Sequence, residues 1–318
     1  MEQCFGSDEA LLYLSTKNKA DSFTAYKVLH SSAAPDGGMF MPMQIPVQND
    51  FSLAQFEQMS FGEAAATVIN LFFGINLSGW DVDFTVGRQA VDLVSIGHKI
   101  SITESWHNPT GLHSYLTQRL YNLALGDRLN KAQPNSWFAI AVKIAVLFGI
   151  YGKCCRREIY EFDVAVDAAD WQMLLAVRYA QKMGLPVRKI ILGCTDGDGL
   201  WNFLSYGDYT ADKKERNVGF EALLWLETGY EEVNRYHLSL QNKLTYRLNP
   251  LRLAQFRKDF FGTVVGDRRV NDIMESTVMT TQYQMDTNTA RAFGALLNYR
   301  AKTGENKNTL LFAQNMPL

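Results

Sequence analysis

Glu104, His107 and His113 set a carboxylate and two imidazoles in one short stretch, a combination chemically suited to proton transfer or to holding a metal ion. Their spacing matches no established metal-ligand pattern, and a hydrogen bond that orders the loop is the simpler use of His107. Ser114 directly follows His113, which raises nucleophilic catalysis, but no G-x-S-x-G elbow surrounds it and no third partner can be named. Asp196-Gly197-Asp198-Gly199 opens like a calcium loop, yet Gly207 stands where the bidentate glutamate is required, so a turn is expected. The cysteines, Cys4, Cys154, Cys155 and Cys194, include one adjacent pair and no C-x-x-C, which leaves no zinc site and no redox pair to expect. Lys153-Cys154-Cys155-Arg156-Arg157 reads as the solvated end of a helix, with binding to an acidic partner as its sharper use.

The elements that must position these residues can be read from hydrophobic spacing. Residues 22–30 have helical character and precede Ala34-Pro35-Asp36-Gly37-Gly38, whose Pro-Asp-Gly core is turn chemistry, with residues 39–42 extended beyond it. Helices over 53–59 and 61–73, the second with Ser60 as N-cap and Gly74 as stop, complete a helix-rich N-terminal domain over residues 1–95. Residues 96–318 form the second domain. In it a strand over 99–103 leads through His107-Asn108-Pro109-Thr110 into a helix over 115–125, and strand-to-helix junctions of this kind often hold ligands. The apolar run 137–151 contains Lys143 and is shorter than the roughly 20 residues of a bilayer span, so a buried helix is expected. A strand over 162–166, a helix over 171–183 and a strand over 189–192 then give the βαβ alternation of a parallel sheet. The pattern from 218 to 261 is helical, with turns near Gly229 and Asn249-Pro250. A helix over 287–299 and a strand over 309–313 finish the chain.

The whole chain has 318 residues, 47% apolar and 20% charged, with a formal net charge of -2. That composition excludes disorder and gives ample chain for a core. Near-neutral charge argues against a nucleic-acid or anionic-membrane binder. The N-terminal residues lack the basic segment and apolar core of a secretory signal, so a cytoplasmic location is expected.

Several segments carry a family likeness. Tyr13-Leu14-Ser15-Thr16, Ala34-Pro35-Asp36-Gly37-Gly38-Met39-Phe40-Met41-Pro42, Glu104-Ser105-Trp106-His107-Asn108-Pro109-Thr110 and Pro134-Asn135-Ser136 occur in that order. Tyr179-Ala180-Gln181-Lys182-Met183-Gly184-Leu185-Pro186, Phe203-Leu204-Ser205-Tyr206-Gly207-Asp208-Tyr209 and Asp286-Thr287-Asn288-Thr289-Ala290 follow. Together these resemble the threonine synthase family, whose members are fold-type II enzymes that use pyridoxal phosphate. The resemblance implies an α/β protein, a helix-rich N-terminal domain followed by a reduced tryptophan synthase β-like domain built on a parallel sheet.

The resemblance also locates what has changed. Counting along the family's H-G-P-T-x-x-F-K-D places Ser114 at the lysine that forms the Schiff base, His113 at the phenylalanine and Tyr115 at the aspartate. The glycine-rich phosphate loop corresponds to Ala169-Asp170-Trp171-Gln172-Met173, without glycines and with Asp167 and Asp170 adding negative charge. Residues 126–133 stand where the family has most of its small mobile domain. The arginine associated with the substrate phosphate falls near Ala141, and the C-terminal threonine and histidine become Gln314 and Met316.

A threonine synthase-like pseudoenzyme is therefore expected, one that has lost pyridoxal phosphate, has no cofactor or metal and acts as a binding, scaffold or regulatory protein. Its vestigial cleft comprises His107, Asn108, Pro109, Thr110, His113, Ser114, Tyr115, Asn135, Ser136, Ala169, Asp170 and Gln314, none of them catalytic. Expected partners are a second copy or another protein, and a small metabolite, with neither nucleic acid nor membrane. The competing expectation is cofactor-independent chemistry in the cleft by Ser114, His113, His107 or Tyr115. A lyase using another lysine, such as Lys131 or Lys143, is more remote.

Overall fold

The structure is a computed structural model that describes residues 11–46, 53–86, 91–105, 112–126, 131–210, 217–243 and 245–313. The chain divides into two compact units that alternate along the sequence. One is drawn from Met1–Ala90, Asn108–Tyr160 and Leu175–Leu185, the other from Val91–His107, Glu161–Leu174 and Pro186–Leu318.

In the first unit, β1 (Leu12–Ser15) pairs antiparallel with both β2 (Ser22–Thr24) and β3 (Phe40–Pro42). The turn at 34–38 locks onto β1. Ser15 Oγ donates to Asp36 Oδ1 at 2.7 Å, and the same oxygen accepts the Gly38 amide at 2.7 Å. A Cβ on Gly38 would lie 1.9 Å from Ser15 Oγ, and Gly37 takes a φ of +72°, so both glycines are dictated by geometry. The helix expected over 22–30 is corrected: its first part is β2, because Phe23 pairs with Tyr13, and only α1 (Ala25–Leu29) is helical. Thr24 sits outside that helix and caps it, its side chain accepting from Lys27 N at 3.3 Å.

Five more helices belong to this unit: α2 (Leu53–Gln58), α3 (Phe61–Phe73), α4 (Gly79–Val86), α5 (Leu112–Leu125) and α6 (Trp137–Cys155). The α3 boundaries are those the sequence predicts, with a Ser60–Glu63 capping box at one end and Gly74 in the left-handed conformation at the other. The α6 helix begins at the cap Ser136, and all of its 19 residues except Lys153 are buried. By length and composition it passes as a membrane span, but 94% of its most apolar stretch is buried inside the protein, as in a core helix. Trp137 makes edge-on contacts with Phe72 and Tyr179 at 5.5 and 4.8 Å between ring centres. The helix end expected to be solvated is so only in part: Arg156 and Arg157 are exposed, whereas Cys154 and Cys155 are buried. Burial pushes the Cys154 thiol up to about 12, which makes it unreactive.

The second unit is built on a six-stranded sheet. Its strands are β4 (Asp92–Gly97), β5 (Ile100–Glu104), β6 (Phe162–Asp167), β7 (Val187–Cys194), β10 (Phe260–Val264) and β11 (Thr309–Ala313), in the order β10-β7-β6-β11-β5-β4. All neighbours are parallel except β4 against β5. The α/β class and mostly parallel sheet are as the sequence predicts. Helices α12 (Asp267–Thr281) and α13 (Thr287–Thr303) contribute Ile273, Ala295 and Leu296 to a core shared with Ile102, Ala165, Ile191 and Leu311 of the strands. Gly193 of β7 allows α13 to approach, since a Cβ there would sit 2.6 Å from the Arg291 carbonyl oxygen.

Between β7 and β10 lie α8 (Gly199–Tyr206), β8 (Asp208–Thr210), α9 (Val218–Thr228), α10 (Tyr230–Lys243), β9 (Thr245–Arg247) and α11 (Pro250–Asp259). Tyr209, Phe220 and Tyr236 cluster here, Tyr209 and Phe220 stacking at 3.8 Å. The helical pattern expected over 218–261 breaks at the expected turns, Gly229 and Asn249-Pro250, but is also interrupted by β9 and ends in β10. The helix α7 (Trp171–Lys182) crosses the boundary between the units, beginning in the second.

Candidate functional site

The expected cleft residues are divided between the units, while His107, Asn108, Pro109, Thr110 and Gln314 lie outside the described residues. In the first unit, α5 carries His113, Ser114 and Tyr115 at its start. Consecutive helical residues project about 100° apart, and burial follows: His113 is buried, Ser114 exposed and Tyr115 half-buried. Burial, reinforced by the nearby Lys143 ammonium, holds the His113 imidazole well below its usual range and so neutral. Its Nδ1 finds no hydrogen-bond partner among the described residues. Asn135 is exposed, and Ser136 is a structural cap, accepting from Ala139 N at 3.3 Å and donating to Gln133 O at 2.7 Å.

In the second unit a cavity of about 300 Å³ opens at the carboxyl ends of β6 and β11, beside the first residues of α7 and α13. Its polar lining comprises Asp167, Asp170, Asp286 and Asn288, and Ala165, Val166, Ala292 and Phe312 are among its apolar walls. Parallel α/β sheets bind ligands outside the carboxyl ends of their strands. Ala169 and Asp170, singled out in the sequence, do line this cavity. The amides at the head of α7 are turned onto the chain's own carboxylates: Ala169 N donates to Asp167 Oδ1 at 2.9 Å and Met173 N to Asp170 Oδ1 at 3.1 Å. Asp286 does the same for α13, accepting from Thr289 N at 2.7 Å.

Arg291, which sequence reasoning did not reach, joins the site through Asp167. Its Nη1 donates to Asp167 Oδ2 at 3.0 Å and its Nη2 to Asp267 Oδ1 at 2.8 Å. Burial pushes the Asp167 carboxyl up, while the Ala169 amide and Arg291 pull it back. Asp286 is singled out in the sequence only within the family-like segment Asp286-Thr287-Asn288-Thr289-Ala290, although an Asp just before a helix is the signal that could have marked it as an N-cap. Nothing in the sequence links Arg291 to a strand more than a hundred residues earlier.

Asp196-Gly197-Asp198-Gly199 is the turn expected: Gly197 has a φ of +80° and Asp198 caps α8 through Leu200 N at 2.7 Å. Among the described residues, no three His, Cys, Asp or Glu side chains converge as a metal site.

With this geometry in hand, comparison with known proteins shows what the chain is similar to. The family profile described as "Threonine synthase N terminus" matches residues 12–85. Threonine synthase-like 2 of Homo sapiens is 29% identical over 107 residues, covering 31% of this chain and 22% of that protein; the Mus musculus protein is 27% identical over the same length. Pyridoxal phosphate-bound threonine synthase from Brucella melitensis superposes with a TM-score of 0.81 at 15% identity, covering 97% of this chain and 89% of that one. Yeast threonine synthase gives 0.79, also at 15% identity, covering 96% and 87%. Residues 12–85 match the threonine synthase N terminus, and the chain as a whole has the threonine synthase fold. Its matched region spans about a fifth of the length of the curated relatives, and the resemblance to solved threonine synthases establishes the fold. The segment 34–38 falls inside the profile match.

Proposed function

We propose that this threonine synthase-like protein has given up pyridoxal phosphate and works by binding, as a cytoplasmic scaffold or regulator rather than a catalyst. One observation carries the reading: the amides at the head of α7, where the resemblance places the cofactor phosphate, are engaged by Asp167 and Asp170. A phosphate dianion brought there would have to displace bonded carboxylates and then sit beside them. At about 4 Å and an effective dielectric near 20, each pair of unit charges repels by about 4 kcal/mol. The residues present therefore do not suit a phosphate. Ser114, at the position of the cofactor-bearing lysine, has no amine and is exposed on α5. Lys143 is buried in α6 and Lys131 lies before that helix, so neither stands at the corresponding position.

His113 and Ser114 differ in burial on neighbouring positions, which does not favour a nucleophile and base working together. Replacement of the family's small mobile domain by residues 126–133 fits the same reading. Binding partners proposed on this basis are a second copy, a catalytically competent relative or another protein.

The test is incubation of the purified chain with excess pyridoxal phosphate, borohydride reduction, and measurement of the visible spectrum and intact mass. The expected result is no cofactor band and no specific adduct. A stoichiometric adduct on one lysine overturns the proposal.

A further inference from the structure

We propose that Asp196-Gly197, in the turn between β7 and α8, is a modification site: it forms isoaspartate spontaneously and so becomes a substrate for a protein-isoaspartate methyltransferase. The inference is independent of the reading above. Sequence alone does not select this step, because Asp-Gly occurs three times, at Asp36-Gly37, Asp196-Gly197 and Asp198-Gly199. Glycine has no Cβ to shield its amide, so all three share the same intrinsic reactivity.

The chemistry sets two requirements. The glycine amide nitrogen attacks Cγ of the preceding aspartate, a C–N bond forms, and one carboxyl oxygen leaves as water. Water then opens the resulting succinimide at either carbonyl. Opening at the main-chain carbonyl routes the chain through the side-chain carboxyl and frees the former main-chain carboxyl, which is isoaspartate. One water is lost and one is gained, with no change of oxidation state. The carboxyl must therefore be free to swing onto the next amide, and that amide must not be committed to another acceptor.

Asp36-Gly37 meets neither requirement. Gly37 is the last residue of the turn 34–37, and its amide donates to the Ala34 carbonyl at 2.8 Å. Asp36 Oδ1 accepts from Ser15 Oγ and from the Gly38 amide, each at 2.7 Å. In Asp198-Gly199 the carboxylate is held as the cap of α8 by Leu200 N at 2.7 Å. Gly199 is closely packed as well, since a Cβ there would lie 2.9 Å from Cε2 of the Tyr209 ring.

Asp196-Gly197 differs by one place in its turn. Asp198 N donates to the Thr195 carbonyl at 3.3 Å, so Gly197, with its φ of +80°, is the third residue of four, whose amide the turn leaves unbonded. Both residues are exposed. Among the described residues the Asp196 carboxylate has no donor and the Gly197 amide no acceptor.

The experiment holds the full chain in warm neutral buffer beside a sample kept unfolded in guanidinium chloride, until the unfolded sample contains isoaspartate at all three steps. Isoaspartate is counted by methyl transfer from S-adenosylmethionine with a purified protein-isoaspartate methyltransferase, and located by peptide mass mapping. In the folded chain, isoaspartate at 196 should exceed that at 36 and at 198 at least fivefold, whereas in the unfolded chain the three should be comparable. D196E keeps the charge but would have to close a six-membered ring; once circular dichroism shows it folded, it should lose most of the methyl transfer. A smaller excess at 196, the same excess in the unfolded chain, or undiminished methyl transfer in folded D196E overturns the inference. The mapping of the native chain decides the matter even where D196E does not fold.

Discussion

Two buried ionisable sites, one neutral and one charged, affect stability in different ways at the residue scale. His113 is kept neutral by burial and by Lys143, so its folded pKa lies below that of the unfolded chain. The unfolded state then binds the proton first as pH falls, and stability drops below the ordinary imidazole value of about 6.5. The loss approaches about 1.4 kcal/mol per pH unit until the folded pKa is reached. Urea unfolding of the native chain and H113Q between pH 7.5 and 5 should show the native chain losing stability relative to the variant; parallel curves would refute it. Arg291 presents the other case. Asp167 is buried with its charge balanced by this guanidinium, so R291M strands a carboxylate and should cost about 3–5 kcal/mol. In D167N/R291M the stranded charge is gone, and most of that loss should be recovered in the same denaturant titration. Additive losses would show that the pair is not coupled.

At the scale of elements, packing of α3 against α6 turns on one missing Cβ. Alanine at position 149 would gain about 1 kcal/mol in helix propensity, but its Cβ would fall 2.5 Å from Cδ2 of the buried Phe61 ring. Overpacking typically costs about 1–3 kcal/mol, so G149A should lower the melting temperature, and a rise would mean that the ring moves freely. The elements most legible in the sequence are those whose ends carry their own chemistry. Ser60, Glu63 and Gly74 bound α3 without outside help. Strands β9 and β10 were hidden for the opposite reason. Thr245–Arg247 is too short for a period to show, and Phe256 and Phe260 keep helical spacing across the point where α11 gives way to β10. Only the parallel ladder with β7, more than sixty residues earlier, makes Phe260–Val264 a strand. The same limit applies to the cavity: Ala169 and Asp170 could be found by counting along a motif, whereas Arg291 reaches Asp167 only through tertiary structure.

Over the whole molecule, the positions on which the proposed loss of pyridoxal phosphate rests are spread across both units, with Ser114 in one and Asp167 and Asp170 in the other. A loss confined to one residue and a loss distributed over the fold make different demands on reversal. Restoring an amine by S114K supplies a nucleophile but leaves the α7 amides bonded to carboxylates and adds no anion site. Covalent capture of an aldehyde needs the cofactor held next to the amine, because effective concentration in a bound complex supplies much of the rate. S114K should therefore show no more stoichiometric adduct after pyridoxal phosphate and borohydride than the native chain. S114K/D170G opens one amide of the helix head to solvent and removes one charge, so it should label more than S114K while remaining substoichiometric, with Asp167 still in place. Full, site-specific labelling of S114K alone, located by peptide mass mapping, would show that a single substitution separates this chain from cofactor binding and that the acidic head of α7 is no barrier.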